Sequence, residues 1–345
     1  MRKLASIRRI DSIDPIPNAD AIEVATIDGW KVVVKKGEFI AGNLAIYCEI
    51  DSWIPTELAP FLSKGKEPRE FNGVKGERLR TVKLRGQVSQ GLLLPVTSVN
   101  GAVEGDDVTE SLGVQKYEPP ISAQLAGVCR STFPIFIRKT DQERAQNLGR
   151  DIFGRFANEK FEVTLKLDGS SCTIYYNDGD VGVCSRNMDL VISDENAGNS
   201  FIRAARLSGL LDLLKNHGDS YGNIAIQCEL MGPGIQGNKE GFDDVKLFVF
   251  DIFDIDKQSY LSPADRMQLF NVMKNLGLTD CIEHVPVIGH YTPAEIGNTV
   301  GDLLAFADGA SINAKVREGL VWKYVGAEFS FKTISNKFLL SGGDE

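Results

Sequence analysis

The 345-residue chain has only three histidines, His217, His284 and His290, and none lies two to five residues from another. A histidine-rich metal site is therefore not expected. Its six cysteines, Cys48, Cys129, Cys172, Cys184, Cys228 and Cys281, form no C-x-x-C pair. That excludes the common zinc ribbons and a disulfide framework, and it fits a reduced cytoplasm. No run of 18 apolar residues occurs, so no membrane-spanning helix is expected. Met1–Ser6 carries charge with no apolar run behind it, unlike a secretory signal. No P-loop or Rossmann fingerprint is read in the chain, so a nucleotide would have to be held in another way. Internal repeats and low-complexity segments are absent too.

At this length one compact core is too small, and two domains are expected. The net charge of −9 argues weakly against a protein coated in nucleic acid, but its distribution matters more than its sum. Between Lys64 and Arg85 stand eight basic residues (Lys64, Lys66, Arg69, Lys75, Arg78, Arg80, Lys83, Arg85) against three acids (Glu67, Glu70, Glu77), a local excess of five positive charges. Such a run is either a solvated loop face or a phosphate track.

The first ~115 residues read as β-rich. Ile22–Ile27 alternates with period two, Asp28-Gly29 supplies a tight turn, and Trp30–Lys35 follows as its partner strand. Gly42-Asn43 precedes another strand, Leu44–Ile50. Short strands with glycine turns predict a small barrel or sandwich. The acidic stretch Gly101–Asp107 and the Pro119-Pro120 pair place a domain boundary between about 110 and 125.

The remainder reads as α+β with mostly antiparallel strands. Thr140–Glu143 spells a capping box opening a helix towards Phe156. Further helices are expected over 199–216, 263–276 behind Ser262, and 293–307, where Thr292 and Glu295 spell a second box. Strands are expected at Phe161–Asp168, at Cys172–Tyr176 and Val181–Arg186 as a hairpin, and at Asn223–Leu230, Val245–Phe253, Gly319–Val325 and Glu328–Lys332.

The most informative stretch is Glu162–Ser171, where Lys166-Leu167-Asp168-Gly169 ends an apolar strand. Alternation puts Lys166 and Asp168 on one face, opposite Leu165 and Leu167. A lysine whose pKa is lowered by burial and neighbouring cations is a nitrogen nucleophile. Alone the tetrapeptide is weak, since an exposed lysine before a hairpin looks the same. Other residues follow in order: Ser185-Arg186-Asn187, Glu229 at a strand end, Phe248 and Phe250 as same-face aromatics, Glu318 before a strand, and Lys332 fourteen residues later.

This order resembles the covalent nucleotidyltransferases: DNA ligases, RNA ligases and mRNA capping enzymes. Ile137–Arg144, Glu229–Asn238 and Ser330–Leu340 resemble the RNA ligases, in particular the Deinococcus-type family of ATP-dependent RNA ligases, over residues from about 126 to 340. Pro17–Val24 is similar to the Pro-Asn-Ala-Asp segment of tRNA-binding OB modules, which that family carries ahead of the transferase domain. Only eight residues follow Lys337. The C-terminal OB domain of capping enzymes and DNA ligases is therefore not expected.

The resemblance implies an all-β OB-like barrel over 1–115, binding nucleic acid through Arg78, Arg80, Lys83 and Arg85. It implies an α+β nucleotidyltransferase domain over 126–345, ATP-grasp-like with antiparallel sheets. Lys166 would be the nucleophile, taking AMP from ATP. Asp168, Glu229 and Glu318 would hold Mg²⁺ or Mn²⁺. Lys332 would contact the α-phosphate, with Lys323 and Lys337 as weaker phosphate candidates. Arg186 would hold the ribose or a 5′-phosphate. Phe250 or Phe248 would stack on adenine, and backbone groups at Thr164 and Leu165 would read its edge. Arg138, Lys139 or Arg144 would orient the pyrophosphate. The expected enzyme is a cytoplasmic, monomeric ligase sealing 5′-phosphate and 3′-OH RNA ends, with preference for duplex nicks whose 3′-OH side is RNA. The alternatives are a non-catalytic OB-containing nucleic-acid binder and a DNA ligase or capping-type transferase.

Overall fold

The computed structural model describes residues 3–99, 101, 103–117 and 128–341. The chain divides into two compact units, Met1–Pro120 with Leu339–Glu345 and Ile121–Phe338. The Pro119-Pro120 pair and the later part of the expected boundary lie outside the described residues.

In the first unit Ile22–Ile27 pairs with Trp30–Lys35 so that Ile27 faces Trp30. The turn between them needs two left-handed residues, and Asp28 and Gly29 supply them at φ 47° and 87°. Trp30, Val32 and Val34 alternate inward. Ser12–Pro15 completes this sheet, while Ala5–Arg9, Leu44–Cys48 and Leu92–Pro95 make a second. Ser52–Pro55 belongs to a third sheet, with Arg69–Phe71, Val74–Arg78 and Gln115–Lys116. The strands thus form separate small sheets rather than one closed barrel. At Asp51, φ 65°, the chain turns out of one sheet into the next.

Structure also thins the basic run. Arg69 pairs with Glu77 at 2.6 Å and Lys75 with Glu67 at 3.0 Å. Arg78 is held by Asp51 and lies 5.0 Å over the Tyr117 ring, so this expected nucleic-acid contact is already engaged. Arg80, Lys83 and Arg85 stay exposed, beside exposed Val82 and Leu84 on the hairpin Val82–Leu84/Gln87–Ser89.

The second unit holds two sheets. In the larger, Cys129–Thr132, Met188–Leu190, Asp180–Cys184, Ser170–Asn177, Ile224–Met231, Lys246–Asp254 and Ser259–Tyr260 stand side by side, with Ile282–His284 on Lys246–Asp254. In the smaller the order is Glu143–Arg144, Ser330–Ile334, Gly319–Tyr324, Phe161–Lys166 and Val287–Tyr291. Pairing is antiparallel except for Glu143–Arg144 and Ile282–His284. Helices Ser200–Leu207, Leu210–Tyr221 and Pro263–Asn275 cover one face of the larger sheet, burying Ile174, Ile226, Leu214 and Met273 among others.

Three helices differ from expectation. The span 199–216 breaks at Gly209, whose φ of 76° no interior helical residue adopts. The span 293–307 divides into Pro293–Ile296 and Val300–Phe306, because Thr299 and Asp302 build a capping box of their own behind the Thr292–Glu295 box. The third begins only at Ala145. Glu143 and Arg144 instead run as a short strand beside Phe331 and Lys332. All six cysteines are free, and among the described residues no helix is long and apolar enough to cross a membrane.

A buried ion network ties the strands together. Arg266, fully buried on Pro263–Asn275, pairs with Glu162 and lies 3.6 Å from Asp251. Its Nε donates to His284 Nε2 at 3.0 Å. Lys323 pairs with Asp251 at 2.6 Å and donates to the Phe250 carbonyl. Removing one partner of a buried pair strands the other charge. Arg266→Met is expected to cost about 3–5 kcal/mol, read as a lowered urea midpoint.

Candidate active site

Strand alternation assembles the site on the smaller sheet. Lys166 pairs with Gly319, directly after Glu318, and Lys332 pairs with Val321. Phe161, Val163, Leu165, Leu320, Trp322 and Phe331 pack into a core, which directs Lys166 and Lys332 to the opposite face. Arg317 steadies Glu318: its guanidinium donates to the carbonyls of Ala307, Phe306 and Asp308 at 2.9, 2.7 and 3.0 Å.

Lys166 Nζ lies 2.6 Å from Glu318 Oε1. Gly169 N donates to Glu229 Oε1 at 2.9 Å, joining the turn after Lys166 to the end of Ile224–Met231. That turn requires glycine: a Cβ at Gly169 would come within 2.3 Å of Leu230 O and 2.5 Å of Met231 Sδ. Asp168 Oδ2 accepts from Lys239 Nζ at 2.6 Å. Burial by itself lowers the Lys166 pKa, but Glu318, Glu229 and Asp168 outweigh it and hold the ammonium above its ordinary value. The three carboxylates, rather than neighbouring cations, set the direction of the shift here. Burial pushes Glu229 up to about 7, against the pull of Lys166. Glu318 is also raised by burial, with Lys166 and more distant Lys332 opposing.

A hard divalent cation fits these donors. Glu318 Oε2 is buried without a hydrogen-bond partner, and Glu229 lacks enough positive charge to stay ionised at its ordinary pKa. Among the described residues no three His, Cys, Asp or Glu side chains form a ready-made cage. Mg²⁺-like ions need none, since they keep several waters and share phosphate oxygens.

Phe248 and Phe250 share a face as expected, both packing on the core that holds Phe161 and Leu165. Cys228 pairs with Val249 and Gln227 with Asp251, so Phe250 is an extra residue between them. Phe248 lies inside that core, 1% exposed, while Phe250 is only partly buried against it. Leu165 N donates to Pro286 O at 2.9 Å, which engages the N–H of that expected reader of an adenine edge. Thr164 is buried between Val287 and Val321.

Among the cations, Arg144 stands beside Lys332 in register, and Lys332 lies 3.6 Å from Asp141. Arg138 is engaged elsewhere, by Glu328, the Gln258 carbonyl and the rings of Phe253 and Tyr260. Lys139 donates to Asn187 at 3.0 Å. Lys323 is committed to Asp251, and burial pushes it down to about 8; it is a strand tie rather than a phosphate contact. Lys337 is exposed near Asp308 at 3.4 Å, and Arg186 is exposed on the turn after Asp180–Cys184. Sequence reasoning missed Lys239, which sits in a loop with no recognised signal, and Arg266, which looks like any helical arginine.

Family models describe the same layout, an OB-fold domain over residues 4–96 and RNA ligase over residues 159–335. An OB-fold unit ahead of an antiparallel α+β transferase unit defines a nucleotidyltransferase. Naegleria gruberi RNA ligase, as an apo variant, matches with TM-score 0.84 and 44% identity over 100% of this chain and 99% of its own. The same ligase with PPi matches with TM-score 0.83 and 44% identity, and a variant with AMP and Mn with 0.84 and 43%, each over 100% of both chains. No curated protein sequence matches the chain. The chain belongs to the RNA ligase family, in the Deinococcus-type arrangement with its OB-fold domain first.

The Glu229 shift has a testable sign. The folded protein binds that proton more tightly than the unfolded chain, so Glu229 removes stability as pH rises from 4.5 to about 7. In metal-free buffer Glu229→Gln is expected to gain stability on wild type across that window and not below it, measured by urea unfolding.

Proposed function

We propose that the protein is an ATP-dependent RNA ligase working through a covalent lysyl-AMP. The observation that carries this reading is Lys166 beside Glu318 and within the field of Glu229 and Asp168 on the K-x-D-G turn. Structures of the Naegleria gruberi ligase with ATP and Mn, with AMP and Mn and with PPi support the donor and the metal.

Once neutral, the Lys166 amine attacks the α-phosphorus of ATP, forming a P–N bond as the bond to pyrophosphate breaks. AMP then passes to an RNA 5′-phosphate, giving a 5′–5′ pyrophosphate link. A 3′-hydroxyl attacks that phosphate, the strand is sealed and AMP leaves. Lys332 balances charge on the α-phosphate, and Arg144 beside it orients the leaving pyrophosphate. Phe250 stacks on adenine, and exposed Arg186 takes the ribose or the 5′-phosphate. Asp168, Glu229 and Glu318 would hold Mg²⁺ or Mn²⁺, which would supply positive charge that weakens the carboxylates' hold on the Lys166 proton and offsets charge on the α-phosphate. Positioning and electrostatics carry the chemistry, with no strong side-chain base.

The substrate is a duplex nick whose 3′-OH strand is RNA. Arg80, Lys83 and Arg85 grip the backbone, which makes ligation salt-dependent. The enzyme acts as a monomer in the cytoplasm, where its thiols remain reduced.

Protein incubated with α-phosphate-labelled ATP and Mn²⁺ or Mg²⁺ should retain acid-labile, alkali-stable label on denaturing gels, and Lys166→Ala should retain none. Absence of label on folded wild type with either metal would overturn the reading. Nicked duplexes with RNA or DNA 3′-OH strands then test the substrate. Separately, Phe250→Ala should raise KM for ATP with little change in Tm. Phe248→Ala, a core truncation, should instead lose about 3–5 kcal/mol of stability.

A further inference from the structure

Lys239 belongs to the loop Gly232–Gly241, which follows the strand ending in Glu229-Leu230-Met231. Gly232–Gly237 spells G-x-G-x-x-G but opens no helix, only the single turn Gln236–Asn238. Gln236, Gly237 and Asn238 are successively left-handed, at φ 44°, 69° and 47°. Backbone so unusual persists only where its surroundings hold it, and they do so on both sides of Lys239. The Asn238 side chain clasps Phe242, with Nδ2 donating to its carbonyl at 2.9 Å and Oδ1 accepting its N–H at 3.1 Å. Buried Glu240 accepts the N–H groups of Asn313 and Ala314 at 2.6 and 3.0 Å, and Asn313 Nδ2 donates to its carbonyl at 3.0 Å. The residue between these anchors extends its ammonium to 2.6 Å from Asp168 Oδ2 and 4.4 Å from the centre of the Phe338 ring.

We propose that Lys239 is a built-in counter-ion for Asp168 that a divalent cation displaces when the site loads. The inference rests on the reading of Asp168 as a metal ligand. Two of the three carboxylates are matched by ammonium groups, Glu318 by Lys166 and Asp168 by Lys239. Lys166 is the nucleophile and stays at the centre of the reaction. Lys239 has no such constraint: its side chain is 42% exposed, so its ammonium can swing into water as the cation arrives. An ammonium and a divalent ion cannot share the same oxygen at contact distance, since like charges there repel strongly. Lys239 therefore weakens capture of a bare cation and favours a metal that arrives with the charge of a nucleotide.

The test is Mn²⁺ binding by the full chain without nucleotide, followed by the electron paramagnetic resonance signal of free Mn²⁺. Lys239→Met keeps the apolar stem against Phe338 and removes the charge. It is expected to bind Mn²⁺ about fivefold more tightly than wild type, the worth of a partly exposed ion pair. Lys239→Arg should bind as wild type does. Asp168→Asn should weaken binding and abolish the gain of the Lys239→Met variant. If Asp168→Asn leaves Mn²⁺ binding unchanged, Asp168 is no metal ligand and the reading of the site fails with the inference. If it weakens binding while Lys239→Met brings no tightening, the counter-ion inference alone is overturned. Absence of bound Mn²⁺ in all of these proteins also overturns it.

Discussion

The transferase unit is organised around one electrostatic conflict. Under the proposed lysyl-AMP chemistry a lysine must shed its proton, yet Lys166 sits against Glu318 and within the field of Glu229 and Asp168, and together they hold that proton on. Carboxylates are indispensable to a site that takes a hard cation, and every carboxylate added makes the ammonium harder to discharge. The two requirements are reconciled by order of events. Ammonium groups neutralise two of the acids, and Glu229, least compensated, has its pKa raised. Under the same proposal, positive charge brought by a divalent metal would take the place of the lysines' charge and free the Lys166 amine.

The rest of the unit keeps those groups in register. Phe161–Lys166 runs between Gly319–Tyr324 and Val287–Tyr291, so Lys166 is placed by strands on both sides and by an aromatic core beneath. Gly169 has no room for a side chain, which locks the turn against Leu230 and Met231 and brings Glu229 to it. Farther along the same strands the Glu162–Arg266–Asp251–Lys323 network does with charge what the core does with apolar surface. It fixes the strand of Lys166, the strand after Glu318 and the backbone of Phe250 to one another. A buried network of this kind contributes more to geometry than to net stability, since desolvation offsets much of its attraction.

Much of this was legible from residue order. Period-two alternation and the Asp28-Gly29 turn predicted the first hairpin, and the strands carrying Lys166, Glu229, Glu318 and Lys332 were placed to within a few residues. The misses share a cause. A helix was expected from Thr140, but pairing of Glu143–Arg144 with Phe331–Lys332 overrides local propensity. Arg138, Arg78 and Lys323 looked available because a sequence does not show which carboxylate a cation will meet.

The linear chain therefore determined the chemistry on offer: a lysine before an Asp-Gly turn, acids and cations in a fixed order, and alternating strands to carry them, since alternation and turn geometry are local properties of backbone and side chain. Only the tertiary structure decided which of those charges are spent on one another. Arg266 is consumed by Glu162, and Lys239 is delivered to Asp168 from a loop 71 residues away. Charge pairing and burial depend on distance in space, and only the packing of the sheets and loops sets that distance.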